Sequence, residues 1–177
     1  MSAESALVLL VPEAEALVKP FRDRHDPAAA IGMPAHITLL YPFRQPDEVD
    51  GPVLDGLHQC FAGFAPFRFA LTAIRRFESP IAVLYLAPEP TEPFCELTLA
   101  IWQRFPETPP YGGRHAEITP HLSVAQVSDP TQLDPIAERF AAASCDILPL
   151  HATAAEVALM DTRSGRWQTR TTFSLGS

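Results

Sequence analysis

Positive charge is scarce in this sequence. Thirteen Lys and Arg stand against 21 Asp and Glu, a formal net charge of −8. Affinity for a long polyanion rests largely on neutralising its phosphates with Lys and Arg, and no basic run is present to do so. No grip on long nucleic acid is expected, and a nucleotide partner would be small or held by one end. Cysteine is scarce as well. Cys60, Cys95 and Cys145 are far apart, odd in number and without Cys-x-x-Cys spacing, which excludes a disulfide framework and a zinc knuckle. They read as free thiols in a reducing, cytoplasmic setting. No apolar run reaches the ~20 residues of a membrane span. The apolar stretch Ala6–Val11 has no basic segment before it and Glu13 and Glu15 after it, so it reads as a buried first strand and not as a signal peptide. His-x-His and His-x-x-His pairs are missing, and Gly112-Gly113 is an isolated turn without a glycine-rich phosphate loop. Neither a metal nor a cofactor is expected.

Proline, by contrast, is plentiful, at 19 of 177 residues, about twice an ordinary share. It marks segment borders, as in Ile31-Gly32-Met33-Pro34 and Thr108-Pro109-Pro110. With 47% hydrophobic residues, the length suits one domain over residues 1–177, built of two lobes divided at about residue 90. Strands are predicted at Ala6–Val11, His36–Phe43, Phe67–Phe77, Ile81–Leu86 and His121–Val127, where β-branched and aromatic residues alternate or run together. Asp146–Met160 and Trp167–Leu175 read as two closing strands. Spacings of three and four predict helices over Ala14–Arg24, Val49–Phe64, Phe94–Phe105 and Thr131–Ala143. Asp26–Pro34 and Pro106–His115 read as loops. The order is β-α-β-α-β-β-α-β-α-β-β.

Two strands carry the same short pattern: His36-Ile37-Thr38 and His121-Leu122-Ser123. Residues i and i+2 of a strand share a face, so each motif sets an imidazole beside a hydroxyl. The histidines are 121 − 36 = 85 residues apart, about half the chain, which suggests a duplication about a pseudo-two-fold axis. Two such strands across a cleft suit metal-independent phosphodiester chemistry. One neutral imidazole takes a proton from the nucleophile and the other, protonated, gives one to the leaving oxygen. The hydroxyls of Thr38 and Ser123 can donate to the non-bridging oxygens. His151-Ala152-Thr153 also fits the bare pattern. It lies in an Ala-rich stretch, without the strand-forming residues that flank the other two hydroxyls, and 151 − 121 is only 30. A histidine satisfied on a half-buried strand is the plain alternative for any one motif; His25 and His58 read as surface residues.

PAHITLLYPF and TPHLSVAQV resemble the two signature strands of the 2H phosphoesterase superfamily, in its 2′-5′ RNA ligase-like and RNA 2′,3′-cyclic phosphodiesterase-like branch. The segments around Ser79-Pro80-Ile81 and Asp161-Thr162-Arg163 resemble its central and closing hairpins. The resemblance implies an α+β fold: a bilobal pseudo-two-fold duplication, with two mixed or antiparallel sheets flanked by helices around a central cleft. It implies catalysis by His36, Thr38, His121 and Ser123, with serine keeping the hydroxyl of the second motif. The expected reaction is hydrolysis of a cyclic phosphodiester, such as a nucleoside or RNA 2′,3′-cyclic phosphate, to the 2′-phosphate. The alternatives are a 2′-5′ phosphodiesterase or RNA ligase-like activity on oligonucleotides, and a catalytically silent nucleotide- or RNA-binding module. Tyr41, Arg76 and Arg114 are candidates to bind substrate, although on a regular strand Tyr41 would face away from His36. No membrane partner is expected, and the chain reads as a monomer.

Overall fold

The structure, a computed structural model, describes residues 2–115 and 117–176. The chain runs β1 (Ser5–Leu10), α1 (Pro12–His25), α2 (Pro27–Ala30), β2 (His36–Leu40), α3 (Gly51–Ala62), β3 (Phe67–Phe77), β4 (Ala82–Glu89), α4 (Glu92–Arg104), β5 (Leu122–Val127), α5 (Leu133–Ser144), β6 (Leu150–Ala154), β7 (Glu156–Asp161) and β8 (Gln168–Ser174). The strands form two antiparallel sheets of four, in the orders β2-β1-β7-β8 and β5-β4-β3-β6. Asp146–Met160, expected as one strand, is two, and each belongs to a different sheet. The lobes in space are therefore not the two halves of the sequence. The first sheet joins the two ends of the chain, and the second takes its middle.

Local chemistry sets the helix ends. Pro12 opens α1, with Glu13 and Glu15 in the first turn and Arg22, Arg24 and His25 in the last, which complements the helix dipole. The Asp50 carboxylate caps α3 by accepting the Val53 N–H at 3.1 Å. Thr98 of α4 donates its hydroxyl to the Leu39 carbonyl at 2.8 Å and so covers the open edge of β2. One large core fills the space between the helices and one face of each sheet; Leu57, Phe61, Leu97, Ile101, Phe140 and Phe173 are fully buried there. A smaller apolar cluster lies on the other face of the first sheet: Ala6, Val8, Met33, Ala158, Met160 and Trp167. No helix among the described residues is long and apolar enough to cross a membrane.

Three bulges decide which side chains face the site. Between β1 and β2, Leu7 opposes Leu40 and Val8 opposes Thr38, leaving Leu39 as an extra residue. Between β4 and β5, Leu84 opposes Ala125 and Tyr85 opposes Ser123, leaving Val124 extra. The two bulges are 124 − 39 = 85 residues apart, the spacing of the two histidines. Between β3 and β4, Leu71 opposes Pro88 and Ala73 opposes Ala87, leaving Thr72 extra. A bulge puts two residues against one and inverts the alternation beyond it. Leu39 and Leu40 both enter the large core, as do Val124 and Ala125. Tyr41 therefore turns to the face of His36 and packs on the smaller cluster. Val127 packs on the core, which leaves Gln126 on the face of Ser123.

Candidate active site

The two motifs lie on strands that end their sheets, β2 in one and β5 in the other, and these edges contact each other. His36 opens β2, and His121 immediately precedes β5. The Nδ1–H of His36 donates to the Pro34 carbonyl at 2.8 Å. The Nδ1–H of His121 donates to the Thr119 carbonyl, also at 2.8 Å. In each case the acceptor is the residue two before the histidine. A carbonyl only accepts, so the proton of each neutral ring sits on Nδ1 and the lone pair on Nε2. Both rings thus present the same reactive atom. Both are half-buried. Burial pushes His36 down to about 4, the Pro34 carbonyl pulls it up, and Arg22, Asp26 and His121 add smaller charge effects of both signs. His121 is also held below its ordinary value, first by burial, with its Thr119 hydrogen bond opposing and His115 adding to the drop.

The walls around the two histidines differ. His121 rests edge-on against Phe77 and Tyr85, with ring centroids 5.1 and 5.5 Å away, and those two rings stack on each other at 4.4 Å. On the first sheet the matching floor is the small cluster of Val8, Ala158 and Met160. Tyr41 donates its hydroxyl to Glu4 at 3.0 Å and lies 6.3 Å from Trp167, centroid to centroid. Burial, and then the Glu4 carboxylate, hold the Tyr41 phenol above its ordinary value, with the Arg114 guanidinium near enough to oppose them. Arg76 goes elsewhere. The bulge at Thr72 turns it to the core side of the second sheet, where it pairs with Asp134 of α5 at 2.7 Å. Arg75, opposite Tyr85 in the register, takes the place on the site face that the alternation assigned to its neighbour.

Tyr111 is a further site residue that alternation and motif searching did not single out. It lies in the Pro110–Gly113 turn at φ 52°, a left-handed backbone uncommon for a tyrosine. Its N–H donates to the Tyr41 carbonyl at 2.6 Å, and it lines one cavity together with Thr38. Burial pushes the phenol up to about 12, the Thr38 contact opposing. It therefore stays protonated beside Thr38. Beyond Tyr111 a cavity of about 570 Å³ opens beside Thr38, lined also by Phe94, Trp102 and Ile118. Among the described residues no group of three or more His, Cys, Asp or Glu side chains is placed to hold a metal ion.

The sequence profile of the 2′-5′ RNA ligase superfamily matches residues 10–166. A Bacillus licheniformis protein, provisionally named a phosphoesterase, is 30% identical over 111 residues, which cover 62% of this chain and 62% of that relative. The crystal structure of TT0787 from Thermus thermophilus superposes with a TM-score of 0.64 at 20% identity, covering 98% of this chain and 99% of that one. E. coli LigT complexed with 3′-AMP gives a TM-score of 0.61 at 13% identity, with 100% of both chains covered. The α+β architecture with its two four-stranded sheets is shared with these folds.

Proposed function

Because this chain belongs to the 2′-5′ RNA ligase superfamily, we propose that it is a phosphoesterase that opens a 2′,3′-cyclic phosphate to the 2′-phosphate by metal-independent acid–base catalysis. The observation that carries this reading is the matched pair of Nδ1–carbonyl hydrogen bonds. They leave two Nε2 atoms, each beside a hydroxyl, on strands that face each other. In the reaction a neutral Nε2 takes a proton from water as the water oxygen bonds to phosphorus. The P–O3′ bond breaks, and the second imidazolium gives its Nε2 proton to the departing 3′ oxygen. Thr38 and Ser123 donate to the non-bridging oxygens as charge builds there. The acidic net charge favours a small nucleotide or an RNA end over a long strand. E. coli LigT, solved in complex with 3′-AMP, supports a small nucleotide as the kind of ligand.

Tyr41 and Arg114 are proposed to hold the nucleotide, Tyr41 by stacking and Arg114 by charge. Stacking a base on an aromatic ring is worth about 1–3 kcal/mol. Tyr41→Ala is therefore expected to raise KM about tenfold or more and to change kcat much less, as steady-state kinetics would read. A large fall in kcat with KM unchanged would move Tyr41 out of the binding role.

A second reading has one observation in its favour. The cavity beside Thr38 has room for a second nucleoside, which a 2′-5′ linked dinucleotide would supply and a cyclic mononucleotide would not. A turnover screen separates the two. The first reading expects 2′,3′-cyclic nucleotides to be opened to 2′-phosphates with excess chelator present; the second expects cleavage of 2′-5′ dinucleotides alone. Tight binding without turnover of either class would leave a silent binding module.

A further inference from the structure

A buried ion pair that the proton-transfer scheme does not use lies behind one histidine. Arg22 of α1 is 2% exposed and Asp26 is 7% exposed, and Arg22 Nε meets Asp26 Oδ2 at 2.9 Å. Desolvating such a pair can cancel its Coulombic gain. Arg22 Nη2 is buried without a hydrogen-bond partner among the described residues, which adds a further cost. Stability alone gives little reason for a guanidinium here.

The pair does connect to the site. The second oxygen of Asp26, Oδ1, accepts the Ala28 N–H at 2.9 Å and caps α2. Across that short helix the Met33 N–H donates to the Ala28 carbonyl at 3.0 Å and the Gly32 N–H to the Ala29 carbonyl at 3.0 Å. The next residue is Pro34, whose carbonyl accepts the His36 Nδ1–H. From guanidinium to imidazole, the links are hydrogen bonds and short stretches of the backbone they brace. From outside, the Trp167 N–H donates to the Ile31 carbonyl at 2.8 Å and clamps the same turn. Gly32 is at φ +98°, where a Cβ would meet the Arg166 side chain and the Trp167 carbonyl at 3.3 Å. The turn thus has one tight form. His121 has a different setting: the rings of Phe77 and Tyr85 beside it and His115 as the charged neighbour that bears on it.

We propose that the Arg22–Asp26 pair is a positioning device for His36 alone, bracing the turn that presents the Pro34 carbonyl and dedicating His36, rather than His121, to the proton-acceptor role. The bracing stands by itself, while the proton-acceptor role rests on the phosphoesterase reading. The charged and titratable groups that bear on His36 are Arg22 from α1, Asp26 from the turn and His121 from the facing edge. Arg22 disfavours the imidazolium more than Asp26 favours it. An uncharged ring is what a proton acceptor requires.

The test is an NMR titration of the two histidine rings in the whole chain, with His121 as the internal reference. Arg22→Met is expected to raise the His36 midpoint and Asp26→Asn to lower it, each on the order of 0.5–1 pH unit, with His121 moving less. A merely structural pair predicts shifts in the same direction in both variants, toward the value of a solvated ring, and that result, or no shift, would overturn the proposal. Should Arg22→Met not fold, Arg22→Lys serves. It keeps the cation, so the His36 midpoint should stay near that of the parent chain while the Met33 amide loses exchange protection. A retained Met33 amide would contradict the bracing. In the kinetics, Asp26→Asn should lower kcat with KM nearly unchanged. If the parent chain turns over no phosphodiester, the phosphoesterase reading fails, and the titration still decides whether the pair positions His36.

Discussion

His36→Ala and His121→Ala should each lower kcat on a 2′,3′-cyclic nucleotide by about 10²–10⁴-fold, the usual worth of a positioned acid or base, while the fold persists. The expectation follows from the placement of the rings. Each is half-buried at a strand start and outside both apolar clusters, so its loss opens no hole in the core. What each removes from the folded chain is one hydrogen bond to a backbone carbonyl, worth about 1 kcal/mol, and for His121 also its edge contacts with Phe77 and Tyr85. The melting temperature should therefore fall by only a few degrees. By contrast, Phe94→Ala, which removes a fully buried ring in edge contact with Phe67 and Phe69, should cost about 3–5 kcal/mol. Parent-like turnover in either histidine variant would end the acid–base account, and unfolding of either would remove the distinction between a catalytic and a structural histidine.

The second large effect is on pH dependence. The reactive free enzyme carries one proton over the two rings, and kcat/KM reports that form. Burial is the main cause that holds both rings below the ordinary 6.5, His36 at about 4. The singly protonated form is therefore most abundant on the acid side of 6.5. Above it the proton donor is lost tenfold per pH unit, so kcat/KM should fall by about two orders of magnitude between pH 6.5 and 8.5. Toward pH 4 it should fall again, as the acceptor gains a proton. In the complex the phosphate anion favours imidazolium, and the kcat profile should lie at higher pH than that of kcat/KM. Stability runs the other way. The neutral ring is the native form, so the folded state keeps this contribution above pH 6.5 and loses it as pH falls from 6.5 toward about 4. A kcat/KM that keeps rising to pH 9 would show that no imidazolium donor is needed.

Much of the fold could be read from local pattern. The helices at Gly51–Ala62 and Glu92–Arg104 lie where spacings of three and four put them, since each buries one apolar stripe. The two motifs were legible because alternation holds up to the hydroxyl. Past that point it misleads. The bulges at Leu39, Thr72 and Val124 depend on register against a neighbouring strand, which no window of a few residues contains. Tyr41, Arg75 and Gln126 share the site face for that reason, and Arg76 does not. The stretch 146–160 hid a change of sheet at Ala155, because a strand that leaves one sheet for another keeps its β-rich composition. Tyr111 was illegible for another cause: a Pro-Tyr-Gly-Gly turn gives no sign of which strand it will fold against. Nothing in the sequence marks the Arg22–Asp26 pair, since burial of a charge is decided by what packs over it.

The central claim is that His36 and His121 act as one unit on one phosphate. A double-mutant cycle tests it most directly: kcat/KM on one 2′,3′-cyclic nucleotide for the parent chain, His36→Ala, His121→Ala and the double variant. Groups that act in a single step are strongly non-additive. The double variant should therefore be no more than a few-fold slower than the slower single variant. Losses that multiply across the two sites would show that the histidines serve separate steps, and would contradict the account.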